Sequence, residues 1–241
     1  MLYIVGTSIG NIQDTSMRAT KTLMNTDVIL AEDARTFDSF YKNIQKLFRL
    51  KPEKKQTIIH FHKENEFQQL PSILSYLKDN KEVALVSESG MPTISDPGLL
   101  LLKHVIKEGI PYTVIPGPTA FVNAVTLSGF STDTILFLGF LPKKKSQSVQ
   151  LFNQLILNRK NCRERRSAFP TKVVFYESPH RINDTLTILD AVFPDAQVCI
   201  CREMTKKFEE SIRGKAKDLL HKKYKGEIAV VVELHQHIKK K

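Results

Sequence analysis

The sequence predicts an α/β fold of two α/β domains, residues 1–117 and 118–241. Three observations predict it. Short apolar runs with strand composition alternate with longer segments of helical spacing. The early runs end in clusters of glycine, proline, serine and asparagine, the way a parallel sheet presents loops at the carboxyl ends of its strands. After Pro118 the pattern changes and a second set of strand-like runs begins, so a second sheet is expected.

Taken in order, Leu2 to Val5 reads as a first strand, closed by Gly6-Thr7-Ser8-Ile9-Gly10-Asn11. A helix is expected from about Thr15 to Met24, then a strand from Val28 to Ala31 running into Glu32-Asp33-Ala34-Arg35. Phe37 to Phe48 reads as helix, Ile58 to Phe61 as strand, Leu70 to Leu77 as helix and Val83 to Val86 as strand. Leu99 to Ile106 follows as helix and Tyr112 to Ile115 as strand, closed by Pro116-Gly117-Pro118-Thr119-Ala120. In the second domain a helix from Thr119 to Leu127 leads to a strand at Ile135 to Phe140 and a basic segment reaching Phe169. Strands at Val173 to Tyr176, Gln197 to Arg202 and Ile228 to Glu233 are separated by helices near Ile182 to Val192 and Ala216 to Tyr224.

The most informative stretch is Val86 to Gly98, VSESGMPTISDPG. Two prolines and two glycines in thirteen residues present backbone N–H and C=O groups in place of side chains. Such a loop is either a stiff connector or a main-chain grip on a polar ligand. The net charge of +11 favours a polyanionic partner, chiefly nucleic acid. Lysine alone also makes a solubilising surface, but Arg163-Glu164-Arg165-Arg166 suits phosphate recognition better. No apolar run is long enough to span a bilayer. The N-terminus lacks a basic leader and reads as a strand, so a cytoplasmic protein is expected. Of the three cysteines, Cys199 and Cys201 sit in a strand where their side chains are expected to diverge, so all three read as reduced packing residues.

Familiar catalytic signatures are absent from the sequence: no glycine-rich dinucleotide fingerprint, no phosphate loop, no His-Glu-x-x-His and no nucleophile elbow. His60 and His62 would share one face of a strand, but nothing marks a third ligand, and no metal is expected. What remains is small-residue loops at strand ends beside a few fixed polar groups, a setting for a bulky cofactor that carries its own reactive group.

These residues resemble a family, ribosomal RNA small subunit methyltransferase I, within the tetrapyrrole methylase-like fold. The resemblance runs nearly end to end. It rests on Thr7 to Asn11, Ala31 to Arg35, His62 with Asn65-Glu66, Ser95 to Gly98, Pro116 to Ala120, Gly139 to Pro142, Phe175 to Arg181, Arg202 to Lys206 and Lys225 to Glu227. Departures are Ser87-Glu88-Ser89-Gly90-Met91-Pro92, where the family usually reads Ser-Asp-Ala-Gly-Thr-Pro, Ser8 in place of a proline, Ala34 in place of a threonine, and Lys63-Glu64 after His62. The resemblance implies methyl transfer from S-adenosyl-L-methionine to the ribose 2′-oxygen of a cytidine in the decoding region of small-subunit ribosomal RNA, free or in the 30S subunit, by a homodimer with no membrane partner. It implies a cofactor folded into a cleft between the two domains.

On that basis Ser8, Glu88, Gly90, Met91, Pro92, Ile94 and Ser95 are expected around the methionine and ribose portions, with Thr119 and Ala120 near its carboxylate. Phe140, Ser178, Gly226 and Glu227 are expected on the adenine side, Phe140 being equally readable as core and Glu227 as a surface charge. The catalytic candidates are His62 or Glu66 as base, with Arg35, Glu32 and Asp33 beside them, unless those three form a structural ion-pair network. Lys143, Lys144, Lys145, Arg163, Arg165 and Arg166 are expected to hold RNA phosphates. Methylation of a tetrapyrrole or a protein side chain, and a non-catalytic RNA-binding module, stay open as alternatives.

Overall fold

The computed structural model describes residues 1–130, 134–164 and 172–234, with 158–164 described by their backbone alone. The chain divides into two compact units, Met1–Thr119 and Ala120–Lys241.

The first unit alternates strand and helix throughout: β1 (Leu2–Val5), α1 (Met17–Asn25), β2 (Val28–Ala31), α2 (Ala34–Phe48), β3 (Thr57–His60), α3 (Glu66–Lys78), β4 (Val83–Val86), α4 (Leu99–Lys107) and β5 (Tyr112–Ile115). A short 3-10 turn at Ile12–Asp14 precedes α1. The five strands lie in the order β3-β2-β4-β1-β5 and are all parallel. The side-chain period of two explains why the central strands are apolar throughout. Val28, Leu30, Val83 and Leu85 point to a core closed by Leu70, Ile73, Leu101 and Val105 of α3 and α4. Their neighbours Ile29, Ala31, Ala84 and Val86 point to the other, closed by Leu23, Phe37 and Tyr41 of α1 and α2. Ser16 caps α1, accepting the Ala19 N–H at 3.0 Å. Asp33 caps α2, accepting from the backbone N–H groups of Arg35 and Thr36 at 2.7 and 3.1 Å.

The second unit comprises α5 (Ala120–Ser128), β6 (Ile135–Phe140), α6 (Lys145–Glu164), β7 (Lys172–Glu177), α7 (Ile182–Val192), β8 (Gln197–Arg202), β9 (Glu210–Lys215), α8 (Ala216–Leu219) and β10 (Ile228–Glu233). Its sheet order is β6-β7-β10-β8-β9. Among the described residues only the β6–β7 pair of this sheet is parallel; the other pairs are antiparallel. Four details differ from expectation. The basic segment after Pro142 is largely helix α6, anchored by Phe152 and Leu155. The sequence reading missed β9, an edge strand whose run ESIRGK is too charged to show a strand pattern. Helix α8 ends at Leu219 because Leu220 is extended. Cys199 and Cys201 are buried and free, but their thiols do not diverge: residues two apart share a strand face, and the sulfurs lie 3.6 Å apart.

The loops at the carboxyl ends of β1, β4 and β5 are bound to one another by main chain. Gly6 N–H donates to Ile115 O at 2.9 Å, Thr7 N–H to Gly90 O at 2.9 Å, and Gly90 N–H to Ser8 O at 3.3 Å. A Cβ on Gly117 would sit 2.7 Å from Gly6 C, and one on Gly6 2.6 Å from Gly117 N, so neither position admits a side chain. Gly117→Ala should therefore destabilise the protein by about 1–3 kcal/mol, the usual scale of overpacking, read as a lower urea midpoint at unchanged slope.

Candidate active site

Three strand ends of the first unit converge on a small set of charged groups. Glu32 follows β2, His62 and Lys63 follow β3, and Glu88 and Asp96 lie on the loop after β4. Partial burial, then the charge of Glu88, raises Glu32 above the usual carboxylate range. Burial and the charge of Glu32 push Asp96 up to about 6, against the opposing pull of Lys63 and a hydrogen bond with Ser87. A small concavity beside these groups is lined by Glu32, Ser87 and Glu88, with Phe37 and Phe40 behind them.

The loop itself is held in an unusual backbone. Gly90 and Gly98 have φ of 78° and 114°, and Thr93 and Ser95 have φ of 70° and 75°. Left-handed φ is costly for a β-branched residue, so the loop keeps this form because its surroundings impose it. One restraint is explicit: Lys63 Nζ donates to Ser95 O at 2.7 Å. Another is the Met91 sulfur, 3.3 Å from Gly117 N–H. Pro92 is buried, Ile94 exposed, and Ser8 buried under the same lattice.

The expected catalytic residues separate into different roles. The side chain of Asn65 bridges the turn after β3, accepting from His62 N–H and donating to His60 O, both at 2.8 Å. This fixes the spacing of the His62-x-x-Asn65 pattern. His62 Nδ1 accepts the Glu64 N–H at 3.3 Å. Glu66 lies inside the unit rather than at the open rim, a correction to the expectation. It is buried, and its Oε1 accepts the Leu101 N–H in the first turn of α4 at 3.1 Å. The cap residue of that helix is Gly98, which has no side chain to offer. Asp33 is the cap of α2, held below the usual carboxylate range chiefly by the Thr36 and Arg35 amides. Arg35 is exposed, 3.9 Å from Asp33. The rings of His60 and His62 stand 4.6 Å apart, yet among the described residues no group of three His, Cys, Asp or Glu could hold a metal.

Thr119 closes the first unit and Ala120 opens α5 in the second. The remaining cofactor candidates lie in the second unit. Phe140 ends β6 beside a bulge and is 63% exposed, so it is not a core residue; it meets Tyr176 edge to face at 5.3 Å. Ser178 follows β7 and donates its N–H to Glu177 Oε1 at 2.7 Å. Gly226 has φ of 80°, and a Cβ there would fall 2.3 Å from Glu203 Oε1. The exposed carboxylate of Glu227 pairs with Lys206 at 2.8 Å.

The motif from Phe175 to Arg181 has a structural account. Buried Glu177 binds Arg181 at 2.6 Å and accepts from the Thr185 hydroxyl at 2.7 Å, and Arg181 donates to Pro142 O at 3.0 Å. Lys145 pairs with Asp184 at 3.5 Å, while Asn183 binds Lys222 O and the His221 N–H. Lys145 and the backbone of Lys222 thus both meet the first turn of α7, although far apart in sequence. Arg163 belongs to the backbone-only end of α6, and Arg165 and Arg166 lie outside the described residues.

The role of Glu66 yields a direct prediction. Glu66→Ala leaves the buried Leu101 N–H without an acceptor and should cost about 1–3 kcal/mol, whereas Glu66→Gln retains an oxygen and should cost less. Urea unfolding of both variants measures the difference.

The family model for Tetrapyrrole (Corrin/Porphyrin) Methylases matches residues 1–220. A Thermotoga maritima protein named Ribosomal RNA small subunit methyltransferase I is 39% identical over 235 residues, which is 96% of this chain and 97% of that one. A Halalkalibacterium halodurans protein of the same name is 36% identical over 236 residues, 96% of this chain and 75% of that one. Among solved structures, a uroporphyrin-III-C-methyltransferase from Thermus thermophilus is similar with a TM-score of 0.61 at 15% identity, covering 95% of this chain and 93% of that one, a likeness of fold. The chain belongs to the tetrapyrrole methylases and, within them, to the ribosomal RNA small subunit methyltransferase I family.

Proposed function

We propose that the protein is an S-adenosylmethionine-dependent methyltransferase acting on the ribose 2′-oxygen of a cytidine in the decoding region of small-subunit ribosomal RNA, working as a homodimer in the cytoplasm. The observation that carries this reading is the near-full-length similarity to relatives named for small-subunit rRNA methylation. Cytidine, the 2′-oxygen and the homodimer come from the family resemblance of the sequence motifs.

The residues present fit the cofactor. The strand-end loops of the first unit offer main chain at Gly90, Met91, Pro92 and Ile94 and small polar side chains at Ser8 and Ser95, suited to a zwitterionic amino-acid portion and a ribose. Glu32, Glu88 and Asp96 make this rim acidic, which suits a sulfonium cation. When bound, the cofactor supplies an electrophilic methyl group. The protein must then orient an acceptor hydroxyl in line with it, exclude water and remove the hydroxyl proton; positioning and a general base are the levers.

The net charge of +11 and the lysine run at Lys143 to Lys145 support an RNA substrate. Lys143 and Lys144 precede α6, and Lys145, which opens it, reaches Asp184 in the first turn of α7, where the backbone of Lys222 also binds. Replacing Lys143, Lys144 and Lys145 by Gln should weaken binding to the small subunit and flatten the dependence of log K on log salt by about 2–3, near 0.9 per lost phosphate contact on duplex and less on single strands. Unchanged affinity and slope would remove these lysines from the RNA contact.

The function is tested by incubating the protein with labelled S-adenosylmethionine and small subunits lacking ribose methylation. Label in the rRNA is expected. Label in ribosomal protein, or none despite cofactor binding by calorimetry, would contradict the reading.

A further inference from the structure

We infer that the turn between β8 and β9 holds an unpaired nucleotide of the RNA substrate, its base stacked on Phe208 and its phosphate beside Lys207. The inference rests on the RNA-methylation reading and adds where the second unit grips the strand. It takes up the motif from Arg202 to Lys206, to which that reading gives no role.

The turn runs from Glu203 to Glu209 and is fixed from several sides. Glu203 N–H donates to Glu227 O at 3.0 Å, Lys206 N–H to Glu203 O at 3.0 Å, and Glu209 N–H to Lys206 O at 3.1 Å. The Glu209 carboxylate accepts the Thr205 N–H, and Met204 is buried. From the loop before β10, Glu227 N–H donates to Glu203 Oε1 at 2.9 Å. These contacts hold Glu203 and Thr205 in left-handed backbone, with φ of 49° and 66°. Threonine is β-branched, so it keeps that form only because its surroundings impose it. A turn fixed in this way presents its outer side chains already ordered for binding.

Those outer side chains are Lys207 and Phe208. Among the described residues three phenylalanines are more than half exposed, Phe67, Phe140 and Phe208. Phe140 is met edge to face by Tyr176, and Phe67 stands on the regular helix α3 between Glu66 and Gln68. Phe208 is 64% exposed, with the Lys207 ammonium over its ring, 5.7 Å from the centroid. An aromatic face and a cation are thereby held side by side, the two groups that a base and its phosphate require.

Charge identifies the occupant. The carboxylates of the turn and its flanks are engaged: Glu203 and Glu227 share Lys206 at 3.3 and 2.8 Å, Glu210 pairs with Arg202, and Glu209 binds the Thr205 N–H. Lys207 and Lys225 are exposed and carry no ion pair among the described residues. The unpaired charge here is therefore positive. An apolar protein surface covering Phe208 would desolvate Lys207 without compensation, whereas a nucleotide meets it with phosphate and the ring with its base. Stacking of this kind selects unpaired bases, because a duplex keeps its base faces covered.

The experiment measures affinity for small subunits lacking ribose methylation across a range of salt, with S-adenosylmethionine affinity measured by calorimetry. Phe208→Ala should weaken subunit binding about 5–150-fold, the scale of one base–aromatic stack, with the salt slope unchanged. Phe208→Tyr keeps an aromatic face and should stay within about threefold of wild type. Phe208→Leu is apolar without that face and should lose affinity as alanine does. Lys207→Gln should lower the slope of log K on log salt by about 0.7, one phosphate contact on a single strand. Wild-type affinity in Phe208→Ala overturns the inference. Wild-type affinity in Phe208→Leu also overturns it, marking an apolar contact with protein. A parallel loss of cofactor affinity overturns it by placing the ring on the cofactor, and a changed sedimentation rate does so by placing it between two copies. A wild-type protein that binds no small subunit, or labels no rRNA, overturns the reading beneath it.

Discussion

The first unit depends on how closely its strand ends approach. Gly6 and Gly117 approach too closely for either to carry a side chain, and the loop after β4 is tied to both through Thr7, Ser8 and Met91. That contact brings three loops into one main-chain lattice. It also leaves the intervening surface with little to offer except peptide groups and a few side chains that the strand ends aim there. A scaffold of this kind grips a ligand by shape and backbone polarity. The charged side chains near this surface are gathered at the ends of β2, β3 and β4.

Those residues work against stability. Glu32 and Asp96 both hold their protons more tightly than free carboxylates because the fold partly buries them beside like charge. The loop carrying Asp96 adds backbone strain at Thr93 and Ser95. Lys63 acts against both costs, as a countercharge and as a tether. Strain and crowded charge concentrated in one loop, on a sheet whose two faces are closed by ordinary apolar cores, is the division expected of a rigid scaffold with a functional edge.

The sheet of the first unit was legible in the sequence because buried parallel strands are continuous apolar runs bounded by turn residues, as at Val28 to Ala31 and Val83 to Val86. The second unit was less so. In α6 the core-facing positions Ser148, Phe152 and Leu155 stand among lysines, glutamines and asparagines that hide their spacing. In β9 the edge position lets charged residues face water. Of the site, the loop after β4 was visible from its prolines and glycines. The helix-capping role of Glu66 and the environment of Asp96 were not. Glu66 caps a helix 35 residues away, and the environment of Asp96 is assembled from three strand ends, so neither leaves a local pattern. The one available signal was the position of Asp96 inside Ser95-Asp96-Pro97-Gly98, in the most polar-backbone loop of the chain.

The most direct test is to compare small-subunit rRNA from cells with and without this protein by nucleotide-resolved mass spectrometry. The account predicts one decoding-region cytidine that carries a 2′-O-methyl group only when the protein is present. Identical methylation patterns in the two samples would contradict it, as would a difference confined to base methylation.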